Sequence, residues 1–114
     1  MNWATLAISV LVLIGCAATA VNSGAERVRL TNAEPGRDCK LLGDATGNQG
    51  NEFVGPFISN ANLETGARND IKNKAAEMGG NVVYVLTQRA GQSGITPGRQ
   101  TNVTLSGHVY RCPE

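Results

Sequence analysis

The chain has 114 residues, with ten Lys+Arg against nine Asp+Glu, a formal net charge of +1, and aromatic residues at only 4% of positions. That length accommodates one domain, or one domain plus a targeting segment. So even a charge balance excludes a nucleic-acid binder, which concentrates Lys and Arg to displace phosphate counterions.

The apolar residues are unevenly placed. Sixteen of the first 21 positions are apolar against 31 of the other 93, and Gly, with 14 copies, outnumbers every hydrophobic type. What folds is a small Gly-rich domain with a thin core. Residues 6–14 (LAISVLVLI) have only Ser9 as a polar interruption. This run is too short to span a bilayer, which takes ~20 apolar residues. It suits the apolar region of a secretory signal. Leu13-Ile14-Gly15-Cys16 follows directly and resembles a bacterial lipobox. The resemblance implies a diacylglyceryl thioether on Cys16, cleavage before it, and acylation of the new amino group. Each buried CH₂ contributes ~0.8 kcal/mol, so two or more chains anchor stably where one does not. Ala17 after the cysteine implies, within the lipoprotein class, export to the outer membrane.

Two features point to a different processing. The leading MNWAT has no Lys or Arg, and Ala18-Thr19-Ala20 is a small-x-small site suited to a type I signal peptidase. Cleavage there would discard Cys16 and leave a soluble secreted product. A buried N-terminal helix, the third option, has no polar face to support it. The expected organisation is a signal peptide over 1–15, a lipidated cysteine with a short tether over 16–25, and a domain over 26–114.

Residues 26–31 alternate, with Val28 and Leu30 on one face and Arg27 and Arg29 on the other, which predicts a half-buried strand. Residues 32–38 hold Pro35-Gly36 and predict a turn. Residues 39–46 (CKLLGDAT) predict a second strand, ending at Gly43 or slightly later, and residues 47–55 (GNQGNEFVG) a flexible loop leading through 56–59 into a helix. For that helix Asn60 or Asn62 is the expected N-cap and Gly79-Gly80 the stop. At 100° per residue Leu63, Ala67, Ile71, Ala75 and Met78 fall within a stripe of ~120°. Lys74 intrudes on the stripe as a snorkelling lysine, with Asp70 four residues before it in the better order for an ion pair. Residues 82–86 (VVYVL) are a continuous apolar run and predict a central strand covered on both faces. Residues 89–100 (RAGQSGITPGRQ) predict a Gly/Pro-rich loop. Residues 101–112 alternate again, with Val103, Leu105 and Val109 inward and Thr104, Ser106, His108 and Tyr110 outward, and Gly107 marks a candidate bulge. The expected fold is α+β: about four strands in a small, mostly antiparallel sheet, chain order β-β-α-β-β, with one helix on one face.

Setting Cys16 aside leaves Cys39 and Cys112. In an oxidising compartment two such thiols most simply form a disulfide. Free or redox-active thiols, or a metal site of Cys39, Cys112 and His108, are the alternatives. His108 and Cys112 sit ~13 Å apart if both lie on one strand. No CxxC or HxxxH grouping supports zinc or redox chemistry.

Taken together, VRLTNAEPGRDCKLLGDATG, ARNDIKNKAAEMGGNVVYVL and the terminal GHVYRCP resemble a family of small bacterial lipoproteins of unknown function within the RcsF-like group. RcsF is an outer-membrane lipoprotein that senses envelope stress and signals to an inner-membrane partner. The most specific segments are CKLLG (39–43), KAAEMGGNVV (74–83) and YRCP (110–113). The resemblance implies a small sheet with one packed helix, and fits a Cys39–Cys112 bridge. RcsF carries a long Pro-rich linker and four domain cysteines, whereas the tether here is about nine residues, at most ~30 Å extended.

The expected function is that of a non-enzymatic envelope lipoprotein, facing the periplasm from the outer membrane, that binds an envelope protein or senses stress. Its partners are the membrane, through the lipid anchor, and an envelope protein. A single His and scattered carboxylates build no nucleophile–base–acid grouping, and no cofactor motif is present. The alternative is a small-ligand or metal-binding module using Asp44, Glu52 and the Asn-rich loop for oxygens. A hydrolase or thiol oxidoreductase, the latter needing an exposed Cys39 or Cys112, stands third.

Overall fold

The computed structural model describes residues 17–51 and 53–114. Cys16 with the rest of the expected leader, and Glu52 of the ligand-module reading, lie outside the described residues.

The helix, α1, runs Asn60–Glu77. Its N-cap is Ser59, one residue before the first expected asparagine, and the Ser59 hydroxyl accepts from the Asn62 N–H at 3.1 Å. At the other end Gly79 takes φ 83°. The Gly80 N–H then donates to Ala75 O (2.9 Å) and the Gly79 N–H to Ala76 O (3.0 Å), the paired bonds of a Schellman stop. Leu63, Ala67, Ile71 and Ala75 are each 0% exposed, so the predicted stripe faces the sheet. Met78, the C-cap, stays at the rim of the stripe: it is 37% exposed, with its Cε lying over Gly43.

Four strands form one mixed sheet in the order β1-β3-β4-β2: β1 Arg29–Thr31, β2 Lys40–Gly50, β3 Val82–Gln92 and β4 Gln100–Arg111. β1 runs parallel to β3, and the β3–β4 and β4–β2 pairs are antiparallel. The chain order is β-β-α-β-β, an α+β fold. α1 lies mainly over β2 and β4. Between helix and sheet sits a core of Val, Ile, Leu and Ala, including Ile58, Val83, Val103, Leu105 and Val109.

Several boundaries differ from the sequence expectation. Residues 25–27 form a 3₁₀ turn, so the first strand starts at Arg29. β2 continues to Gly50, through residues that composition marks as loop. The reason is close packing: a Cβ on Gly47 would stand 2.4 Å from Ala67 O and 2.5 Å from Ile71, so glycine lets the strand pass beneath the helix. β3 continues to Gln92, leaving only residues 93–99 between it and β4. It is covered on both faces only at its start: Val82 and Val83, which point to opposite faces, are buried, but the cover is lost further along, where Leu86 is 50% exposed. The bulge lies opposite Gly107 rather than on it. Val85 pairs with Gly107 and Thr87 with Ser106, leaving Leu86 as the extra residue.

Lys74 is solvated at its head, as a snorkelling lysine should be, but it also has a backbone target. Its Nζ donates to Thr46 O (2.7 Å) and to Asp70 Oδ2 (3.1 Å), and Asp70 Oδ2 accepts from the Asn48 N–H (2.8 Å). The ion pair therefore satisfies two backbone groups along the free side of β2.

Candidate functional site

The expected tether is fastened to the fold from Thr19 onward. The Thr19 N–H donates to Gln49 Oε1 at 2.8 Å, and the Thr19 hydroxyl reaches the same oxygen. Asn69 Nδ2 donates to Thr19 O (2.8 Å), Asn73 Nδ2 to Ala20 O (3.0 Å), and the Asn22 N–H to Asn73 Oδ1 (2.7 Å). On a 100° wheel Asn69 stands opposite the apolar stripe, and Asn73 about 40° from it. Residues 19–25 are therefore a strap across the outer side of α1, from Gln49 on β2 at one edge of the sheet to β1 at the other. Ala25, at 0% exposure, closes the strap, and Asn73, at 8%, lies buried beneath it. Paired asparagines four apart on a helix are the sequence signal for this clamp, but they are equally ordinary on a solvated face.

The strap begins where β2 ends. At that same end are the loop from Asn51, the 3₁₀ turn Gly55–Phe57, the start of α1 and the 93–99 connection. Asn60 ties these together, its Nδ2 donating to Gly98 O (3.0 Å) and its Oδ1 accepting from the Gln100 N–H (2.9 Å). Four apolar side chains project from this end: Phe53 (77% exposed), Val54 (42%), Phe57 (73%) and Ile95 (94%). The sequence places all four in expected loop or lead-in segments, but nothing in their pattern there marks them as a shared exposed surface.

The opposite end carries the cysteines. Cys39 and Cys112 are paired as a disulfide across 73 positions of sequence, joining the turn before β2 to the residue after β4. Asn81 holds Cys112 from the side, donating to its carbonyl (2.8 Å) and accepting from its N–H (2.7 Å). Along β2 the two ends are separated by 11 residues, about 36 Å of strand.

His108 is not brought to the cysteines. It lies on the face of the sheet away from the helix, where its Nδ1 is 2.5 Å from Asp44 Oδ1 and its ring is 6.5 Å from that of Tyr84, tilted by 52°. Two residues along β4, Ser106 bonds the Thr46 hydroxyl at 3.1 Å. Asp44, an oxygen donor in the ligand-module reading, is thus turned to His108. Among the described residues no three His, Cys, Asp or Glu side chains converge as a metal site would require. The cross-strand register that joins Asp44 to His108 is a tertiary fact, and neither residue announces it in the sequence.

One groove opens on the helix side of the sheet. Because α1 covers β2 and β4, the inner faces of β1 and β3 are left partly open, with a volume of about 530 Å³ bordered by Leu30, Arg68, Lys72, Val85 and Gln88.

The chain resembles known proteins over nearly all of the described domain. Residues 19–112 match the family model described as a domain of unknown function, DUF4156. Uncharacterized protein YjeI of Escherichia coli, and its counterpart in Shigella flexneri, are each 35% identical over 104 residues, covering 90% of this chain and 88% of theirs. The match opens at Thr19, the first residue of the strap, and closes at Cys112, the second half of the disulfide. The chain belongs to the DUF4156 family.

Proposed function

We propose that this protein is a bacterial envelope lipoprotein, held at the outer membrane through acyl chains on Cys16, whose domain is a non-enzymatic module for protein interaction or envelope-stress sensing, related in fold and anchoring to the RcsF-like lipoproteins. The observation that carries the reading is the distance from Cys16 to the fold. The lipobox-like Leu13-Ile14-Gly15-Cys16 ends three residues before Thr19, where the strap begins. Three residues extend at most ~11 Å, so a membrane hook at Cys16 would hold the domain directly against the lipid surface.

The strap also weighs against the soluble alternative. Type I cleavage after Ala20 would remove Thr19 and Ala20, and with them the partners of Gln49 and Asn69 and one partner of Asn73. Cleavage before Cys16 keeps every one of these bonds. The non-enzymatic reading draws support from the exposed sheet face: His108 is engaged with Asp44, and Ser106 is engaged with Thr46 rather than with His108.

Intact mass spectrometry of membrane-derived protein tests the reading. A chain beginning at Cys16 and carrying the mass of three acyl groups is expected, and Cys16→Ser should move the protein from the detergent phase to the aqueous phase. An unacylated chain beginning at Val21 would overturn it. Crosslinking in intact cells tests the interaction role, which fails if no envelope protein is captured under any stress.

A further inference from the structure

We propose, on the basis of the anchoring just described, that the end of the domain bearing Phe53, Val54, Phe57 and Ile95 is a lipid-contacting surface that sets these side chains into the headgroup–acyl boundary of the membrane that holds Cys16. The first reason is where the aromatic residues are. The chain has two phenylalanines, and both stand more than 70% exposed, while the core is built from aliphatic residues alone. Single exposed apolar residues need no explanation, and Leu41 and Leu86 are of that kind. Four on two adjoining loops, fastened to each other through Asn60, form a patch.

The second reason is where the chain enters. Thr19 is fixed to Gln49, one residue before β2 ends at this same patch. Sixteen further residues precede Ala17, and the acyl-bearing Cys16 must lie within ~11 Å of Thr19. Interfacial apolar side chains enter the boundary by about 5–10 Å, so the anchor's reach and the depth of insertion match. A protein partner for this patch would have to fit between the domain and the bilayer.

The third reason is the low desolvation cost. The hollow between the loops is lined by uncharged groups, among them Asn48, Asn51, Gln92, Ser93 and Thr101. The described residues lining that hollow therefore carry no charge that would have to be desolvated when the patch meets lipid.

The test uses the lipidated full-length protein in phosphatidylethanolamine–phosphatidylglycerol vesicles. Processing removes Trp3, the chain's one tryptophan, so an introduced indole is the only one present. Phe57→Trp and Ile95→Trp place it at exposed positions that the core does not use. Tyr110→Trp places it eight or more residues along the strands, beside the disulfide end. Bromine on the acyl chains should quench Phe57→Trp and Ile95→Trp roughly twofold or more, with blue-shifted emission, and leave Tyr110→Trp unchanged. Protein that floats with the vesicles while Phe57→Trp and Ile95→Trp stay unquenched overturns the lipid contact and leaves the anchor standing. Protein that does not float overturns both. Blue-shifted emission that depends on protein concentration, without bromine quenching, would assign the patch to a second copy of the chain and equally overturn the proposal.

Discussion

Replacing Asn73 by alanine should release the strap without opening the core. Asn73 is 8% exposed, and its side-chain amide both donates to Ala20 O and accepts from the Asn22 N–H. Each such bond contributes about 1 kcal/mol net, and each backbone group left buried without a partner adds to the loss. Alanine recovers roughly 0.5–0.7 kcal/mol through its better helix propensity. The expected net loss is therefore about 1.5–2 kcal/mol, read as a lower urea midpoint by far-UV circular dichroism at an unchanged slope. Hydrogen exchange should locate the effect. The Asn22 amide should exchange much faster in the variant, while Leu63, Ile71 and Val109 should lose protection only by the global amount. A loss under about 0.5 kcal/mol with the Asn22 amide still protected would refute the strap as a structural element. A loss shared equally by every amide would show instead that strap and core are one cooperative unit.

Three more outcomes follow from the same geometry. Replacing Cys39 and Cys112 together by serine opens a loop closed across 73 positions, for which the chain-entropy model gives about 4.4 kcal/mol, measurable by urea unfolding with and without reductant. Gly47→Val should cost more than about 2 kcal/mol, because its branched side chain must displace the Ala67–Ile71 turn of α1; Gly94→Val, which meets nothing within 4 Å, is the matched control in thermal unfolding. Protein purified from membranes should show tyrosine emission only, since Trp3 lies in the expected leader; retained indole emission would mean that the leader was never removed.

What the sequence disclosed, and what it hid, follows from how each signal arises. Leu63, Ala67, Ile71 and Ala75 repeat with the helical period and end at Gly79-Gly80, so the helix and its buried face are readable from local pattern. The alternation of Val103, Leu105 and Val109 gives β4 for the same reason. β2 and β3 extend beyond their expected ends because Gly47, Gly50 and Gly91 carry no side chain to express a period. A glycine in a close-packed strand and a glycine in a mobile loop are the same letter, and only the neighbouring helix or strand distinguishes them. The bulge at Leu86 and the Asp44–His108 pair depend on register, which neither a Gly/Pro-rich loop between β3 and β4 nor the distant pairing of β2 with β4 fixes from local pattern. The strap was hidden because its sticking groups are backbone atoms of Thr19, Ala20 and Asn22, which every residue possesses. Phe53 and Phe57 do fall in the expected loop and its lead into the helix, but their exposure is set by how that loop sits on the fold, which local pattern does not report.

The ion pair of Asp70 and Lys74 has a consequence at the level of many molecules. A strand of 11 residues at the margin of a sheet offers a template on which another extended chain can grow. Here the carboxylate occupies the Asn48 N–H and the ammonium occupies Thr46 O, midway along that margin, while the opposite margin, β1, is only three residues long. Copies confined to a surface collide far more often than copies free in three dimensions. Two side chains one helical turn apart thus act as gatekeepers, and under the anchoring proposed above they would keep a crowded layer of these domains a population of separate molecules rather than a growing ribbon.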